Sequence, residues 1–136
     1  VAPGRHPTIL PDLLAGADLG TLFVPAGDTL SSRKHWIAYG AKPAGRLTVD
    51  AGAARAVCEH GRSLLPAGIT AVEGGFGMGE TVAVVGADGR ELARGLTAYD
   101  ADDLRKILGL HSADIEATLG LRGPAEAIHR DDLVIL

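Results

Sequence analysis

Apolar residues along this chain fall in short runs, each closed within a few positions by glycine, proline or charge. The densest succession surrounds Arg62-Ser63-Leu64-Leu65-Pro66-Ala67-Gly68-Ile69, with a helix-like segment before it and at least three strand-like segments after it. Its apolar pair, its Pro-Ala-Gly bend and its β-branched restart at Ile69 read as strand, bend, strand, an inner hinge and not a surface loop. Upstream, residues 46–49 form a short strand. Asp50 then stands where a carboxylate can accept the free N–H groups opening a helix over 51–60. Ala53, Val57 and Cys58 share a face of that helix, and Gly61 ends it. Downstream, a strand over 69–73 leads through the glycine cluster 74–79 into a strand over 80–85. Asp88-Gly89 predicts a two-residue type I′ turn, from which a strand returns over 91–99. Asp100 opens a helix carrying Leu104, Ile107 and Leu108 on one face, stopped by Gly109. Ser112 caps a shorter helix that pairs Ile115 with Leu119 and ends at Gly120. Residues 133–136 are continuously apolar and predict a strand buried on both faces.

The first third of the chain is sparser. Residues 8–15 predict a short helix with Pro11 in its first turn and Gly16 at its end. Residues 20–25 read as a strand closed by proline, and Asp28 or Ser31 caps a helix carrying Arg33, Lys34 and Trp36. The Gly-Ala-Lys-Pro-Ala-Gly run over 40–45 is a linker between two units, residues 1–39 and 46–136. Five or six short strands with small helices around a central hairpin predict a mainly β, α+β fold, a partly closed barrel decorated with helices. The strands are too short and the helices too few for repeated βαβ units.

Composition narrows the picture. A chain of 136 residues makes one ordinary domain, or a small domain plus a piece of another. Apolar residues are 46% of it but aromatics only 4%, so the core is built from Val, Leu, Ile and Ala. No run of about 18 apolar residues is present, and the start lacks a signal-peptide pattern; the expectation is a cytoplasmic protein with no membrane partner. Val1 and the following Ala2-Pro3-Gly4-Arg5 read as the end of an earlier element, so the chain is expected to begin mid-protein. The single Cys58 has no partner for an internal disulfide and reads as a buried thiol in a helix.

Candidate chemistry is thin. A phosphate-binding turn needs a helix after its glycines, whereas residues 80–85 are strand-like, so the cluster at 74–79 is a tight turn or bulge. His129-Arg130-Asp131 imitates a protein-kinase catalytic loop, but that loop needs an Asn five positions after its Asp. Position 136 is Leu, and the motif reads as a charged turn before the last strand. The histidines at 6, 35, 60, 111 and 129 have no metal-ligand spacing. Asp100, Asp102 and Asp103 crowd a predicted helix start, where the dipole favours negative charge. The residues present therefore offer no catalytic, nucleotide or metal site.

Seven segments in order carry a family resemblance: Gly20-Thr21-Leu22-Phe23, Arg33-Lys34-His35-Trp36-Ile37, Pro43-Ala44-Gly45, Val49-Asp50-Ala51-Gly52-Ala53, Ser63 through Ile69, Gly95-Leu96-Thr97-Ala98-Tyr99 and His129 through Val134. Together they resemble the C-terminal part of the bacterial glutamate 5-kinase family. The resemblance implies that residues 1–39 are the tail of an α/β amino-acid-kinase domain and that residues 46–136 are a PUA domain, a β-pseudobarrel. The family transfers phosphate from ATP, with Mg²⁺, to the γ-carboxylate of L-glutamate, the first step of proline synthesis, and proline inhibits it. By the same resemblance the catalytic machinery lies upstream, so this chain alone has no cofactor and no catalysis, and its partner is the rest of the kinase domain, through which the parent forms homo-oligomers. Pro3-Gly4-Arg5 departs at Pro3 from the family's Asn-Gly-Arg stretch.

In PUA domains that bind structured RNA, the groove lies between the first helix and the strand after it. On this chain that implies Gly52, Ala53 and Arg55 on one wall and Arg62, Ser63, Leu64, Leu65, Pro66 and Gly68 on the other. Charge argues against RNA: from Gly45 onward nine Lys and Arg face fourteen Asp and Glu, a net −5. Nucleic-acid modules usually carry a basic footprint. The expectation is an architectural or regulatory module of a metabolic kinase, with RNA binding as the alternative.

Overall fold

The computed structural model describes residues 1–24, 29–40, 42–120 and 123–136, and of residues 29–31 the backbone alone. Its centre is a mixed five-stranded sheet in the order β2-β1-β3-β4-β5, built from β1 (Gly45–Val49), β2 (Ile69–Gly74), β3 (Thr81–Val85), β4 (Glu91–Leu96) and β5 (Leu133–Ile135). Strand β1 lies antiparallel to β2 and parallel to β3, and β3–β4 and β4–β5 are antiparallel. All five residues of β3 are buried. Period-2 alternation puts Val82 and Val84 on the inner face with Leu47, Val49, Ala93 and Leu133, where α3 (Ala51–Cys58), α4 (Ala101–Lys106) and α5 (Ser112–Leu119) contribute Val57, Leu104 and Ile115. As expected from composition, this core is almost wholly aliphatic; Phe76 and Tyr99 are its aromatic members.

Several expectations match element by element. Asp50 Oδ1 accepts from the Ala53 N–H at 2.7 Å, and Asp100 Oδ1 accepts from the Asp103 N–H at 2.8 Å, so both helices open as capped. Asp102 and Asp103 stand in the first turn of α4, as expected of a helix start, and pair with Arg105 and Lys106 one turn on, at 2.8 and 2.7 Å. The glycine cluster joins β2 to β3 as a tight connection, Gly77 donating to Glu80 Oε2 at 2.7 Å.

Other expectations are corrected. Gly89 has φ +80° but Asp88 does not have positive φ, so the hairpin is not type I′. Gly86 accepts from Gly89 and donates to Arg90, a three-residue loop whose last position needs the left-handed conformation. Strand β4 stops at Leu96, and α4 at Lys106. His111, not Ser112, is the N-cap of α5, and Ser31 lies inside α2 (Thr29–His35); Asp28 is outside the described residues. Residues 62–65 form no strand: only Leu64 bridges, to Ile128. Among the described residues, 20–24 pair only through Thr21 with Val1, and Leu22, Phe23 and Val24 are exposed. Strand β5 is an edge strand, so Leu133 is buried while Ile135 is 47% exposed. Cys58 is only half-buried, against the core rim. The fold class itself stands: a five-stranded sheet with small helices packed on it, mainly β and of the α+β kind, with no pairing between β2 and β5 among the described residues.

Two consequences are measurable. A Cβ at Gly95 would meet Ile128 Cγ2 at 2.6 Å and the Asp132 carbonyl at 3.0 Å; Gly95→Ala is expected to cost about 1–3 kcal/mol by overpacking, read as a lower urea midpoint with unchanged slope. Burial, helped by Glu126 and Asp103, raises the Tyr99 pKa above its ordinary value, and its hydroxyl donates to the Pro124 carbonyl. A raised folded-state pKa contributes stability that is fully present below the unfolded value near 10 and is lost as pH rises through the folded value. Unfolding free energy is therefore expected to fall above about pH 10, and Tyr99→Phe to flatten that fall.

Candidate functional site: a cleft beside the first sheet crossover

The parallel pairing of β1 with β3 forces a crossover, and α3 with residues 61–68 makes its first half. Gly61 ends α3 in the left-handed conformation (φ +57°), donating to the Val57 carbonyl, and turns the chain back along the helix. Leu64 then anchors the returning segment: its N–H donates to the Ile128 carbonyl at 2.9 Å, and its own carbonyl accepts from Ala127 at 2.8 Å. Pro66 begins a single 3₁₀ turn, Pro66–Gly68, and is buried. Gly68 comes so close to α3 that a side chain there would land on the Ala53 Cβ. The Asp50 N–H donates to the Gly68 carbonyl at 3.0 Å, so one residue both caps α3 and ties it to the opposite wall.

Between these walls lies a cleft of about 350 Å³. Of the nine predicted groove residues, Gly52, Ala53, Arg62, Ser63, Leu64, Leu65 and Gly68 line it. Arg55 and Pro66 do not: Arg55 lies exposed along α3 with Nε donating back to the Ala51 carbonyl at 3.4 Å, and Pro66 is in the core. Asp50, Ala56 and, within the 63–68 wall, Ala67 complete the lining; sequence reasoning missed the first two, and Ala56 follows from helix periodicity, one turn on from Gly52 and Ala53. It also missed a second hollow of about 330 Å³ beyond Leu65, where Arg62, Ser63 and Leu65 meet Glu126, His129 and Arg130. Ser63 Oγ accepts from the Arg130 N–H at 3.0 Å across 67 positions of sequence, a contact without any local signal.

Chemically the cleft is small-walled, with Arg62 the cation on its lining and Asp50 already engaged by Ala53. His129 accepts from the Asp131 N–H and sits 3.5 Å from its carboxylate, capping the 3₁₀ turn Arg130–Asp132. Among the described residues no three His, Cys, Asp or Glu side chains gather as a metal site. The shape suits contact with a ligand, and nothing on its walls pairs a nucleophile with a base.

A family model for the PUA domain matches residues 45–119, and the chain belongs to that family. Its particular relatives are glutamate 5-kinases: the chain is 49% identical over its whole length to that of Trichlorobacter lovleyi and 52% identical to that of Myxococcus xanthus. In each case it spans 36% of the relative, the C-terminal part. A crystal structure of a PUA domain from Aeropyrum pernix, in a tartrate complex, overlays 70% of this chain and 48% of that one at 28% identity and a TM-score of 0.47. No described helix is long and apolar enough to cross a membrane.

Gly68→Ala is expected to push α3 off the opposite wall and destabilise by about 1–3 kcal/mol. Adding Ala53→Gly is expected to return part of that loss, measured as a coupling energy in a double-mutant cycle by urea unfolding.

Proposed function

We propose that this chain is the C-terminal module of a cytoplasmic glutamate 5-kinase, which phosphorylates L-glutamate to L-glutamyl 5-phosphate with ATP and Mg²⁺. The module serves an architectural or regulatory role and does not catalyse. What carries this reading is identity near 50% across the whole chain, including residues 1–44 that the PUA match leaves out. The surface supports it: Leu14, Leu22, Phe23 and Val24 are 74–91% exposed, and α1 (Ile9–Leu14) buries none of its side chains. Apolar side chains so exposed in one short stretch need a cover, and the missing part of the kinase domain is that cover.

RNA binding is the second reading, favoured by the gathering of seven groove residues around one cleft and opposed by the domain's net −5. A nucleic-acid site draws most of its non-specific affinity from phosphate contacts, and Arg62 and Arg130 are the arginines at these two hollows.

Incubated with ATP, Mg²⁺ and glutamate, the chain alone is expected to release no ADP above background. Fused behind the remaining part of the Myxococcus xanthus relative, it is expected to support glutamate-dependent ADP release; a folded but inactive fusion would count against the kinase reading. Titration with hairpin RNA at physiological salt is expected to show no sub-micromolar binding, and tight binding lost in Arg62→Glu would move the assignment to RNA.

A further inference from the structure

The segment before the linker is packed as part of the sheet's body. Residues Trp36–Gly40 continue α2 as a π-helical turn, in which Ile37 and Ala38 are 0% and 3% exposed while Trp36 and Tyr39 stay open. Turns of this rare type concentrate at functional positions. The surface that receives the segment is the outer face of β4 and β5. There, alternation places Arg94 opposite in direction to Ala93 and Gly95, with Ala83 and Val134 as its cross-strand neighbours.

Arg94 is bound from two sides. Its Nε and Nη2 donate to the two carboxylate oxygens of Glu91, at 2.6 and 3.5 Å, and its Nη1 donates to the Ala38 carbonyl at 2.7 Å. That carbonyl lies in the last turn of the helical segment, where partner-free acceptors collect and positive charge is favoured. A second fastening joins Arg33 to Asp132 at 2.6 Å, in the turn leading into β5. Residues 1–24 show no such attachment: α1 has no buried side chain.

We propose that Arg94 is a latch that holds the helical segment 29–40 on the outer face of the sheet, making that face the docking surface for the end of the preceding unit. The mechanical boundary then falls upstream of the segment and not in the 40–45 linker, and residues 29–40, the end of the preceding unit, move with the PUA sheet. That this is a kinase domain rests on the function proposed above; the latch itself rests on this chain's own contacts. The fork of the guanidinium is needed because one head group must serve Glu91 and Ala38 together, which an ammonium cannot do with the same geometry.

Hydrogen exchange on the 136-residue chain tests this, with Trp36, its only tryptophan, as a second reporter. In Arg94→Met, protection across residues 33–40 is expected to drop about tenfold or more, the scale of one charge-assisted hydrogen bond. Protection of β3 stays as it was, and Trp36 becomes more accessible to acrylamide. Arg94→Lys is expected to recover less than half of the lost protection. If Arg94→Met disturbs the sheet as well, Glu91→Gln decides, since it keeps the guanidinium and frees its orientation; a severalfold loss confined to 33–40 is expected. The latch is overturned if residues 33–40 exchange like an unprotected peptide in the unaltered chain, or if the variants that retain the sheet leave their protection unchanged. Failure of the kinase reading would appear in the ADP assay and leave these exchange rates untouched.

Discussion

Burial of β3 on both faces is the constraint that organises the molecule. Thr81–Val85 has no solvent face, so it must have a strand on each side and a cover above and below. The strand neighbours are β1 and β4, one parallel and one antiparallel. The inner cover comes from the helices whose Val57, Leu104 and Ile115 share one core with Val82 and Val84. On the outer side, the segment carrying Ile37 and Ala38 shields the sheet at β4 and β5. A buried backbone whose partners are complete tolerates little relocation, because each freed N–H or C=O would lose its hydrogen bond without reaching water. Both the cleft and the latch are therefore attached, through one strand's width, to the most fixed part of the fold.

The cleft is a by-product of the parallel pair. Two parallel strands cannot be joined by a tight turn, and here the connection folds back on itself at Gly61 before it reaches β2. What keeps its two arms apart is small: Gly68 against Ala53, with Asp50 bonded to both arms. A wall made of glycine, alanine and an already satisfied carboxylate can shape a ligand's approach but has no group positioned to take or give a proton. A contact role fits that lining better than chemistry does.

Local chemistry explains which parts of this were legible in the sequence. Asp50 and Asp100 were readable because capping is a relation between a side chain and an amide three positions on, and Gly61 because its task is set by its own backbone angle. The cleft's walls were legible through the resemblance and the proline-glycine bend. Several misreadings lie where tertiary context decides, and others where local composition serves more than one geometry. Leu64 looked like a strand residue because it is buried, yet one bridge to Ile128 is all the pairing it has. The apolar run at 133–136 suggested two covered faces, but an edge strand of three residues leaves Ile135 half open. Asp88-Gly89 needed one left-handed residue, not two, and its composition serves either loop. Arg130 reached the site only by folding across 67 positions.

The same reasoning separates the two kinds of exposed apolar surface near the start of the chain. Leu22, Phe23 and Val24 are open on a segment whose only pairing among the described residues is with Val1. Trp36 and Tyr39 are also open, yet between them Ile37 and Ala38 are fully engaged with the sheet. One surface is uncovered among the described residues, and the other flanks a contact already made. The sheet holds 33–40 at two points, so that any displacement of the sheet moves that segment with it. Arg94 on Ala38 and Arg33 on Asp132 grip it near its two ends, which fixes its direction as well as its position.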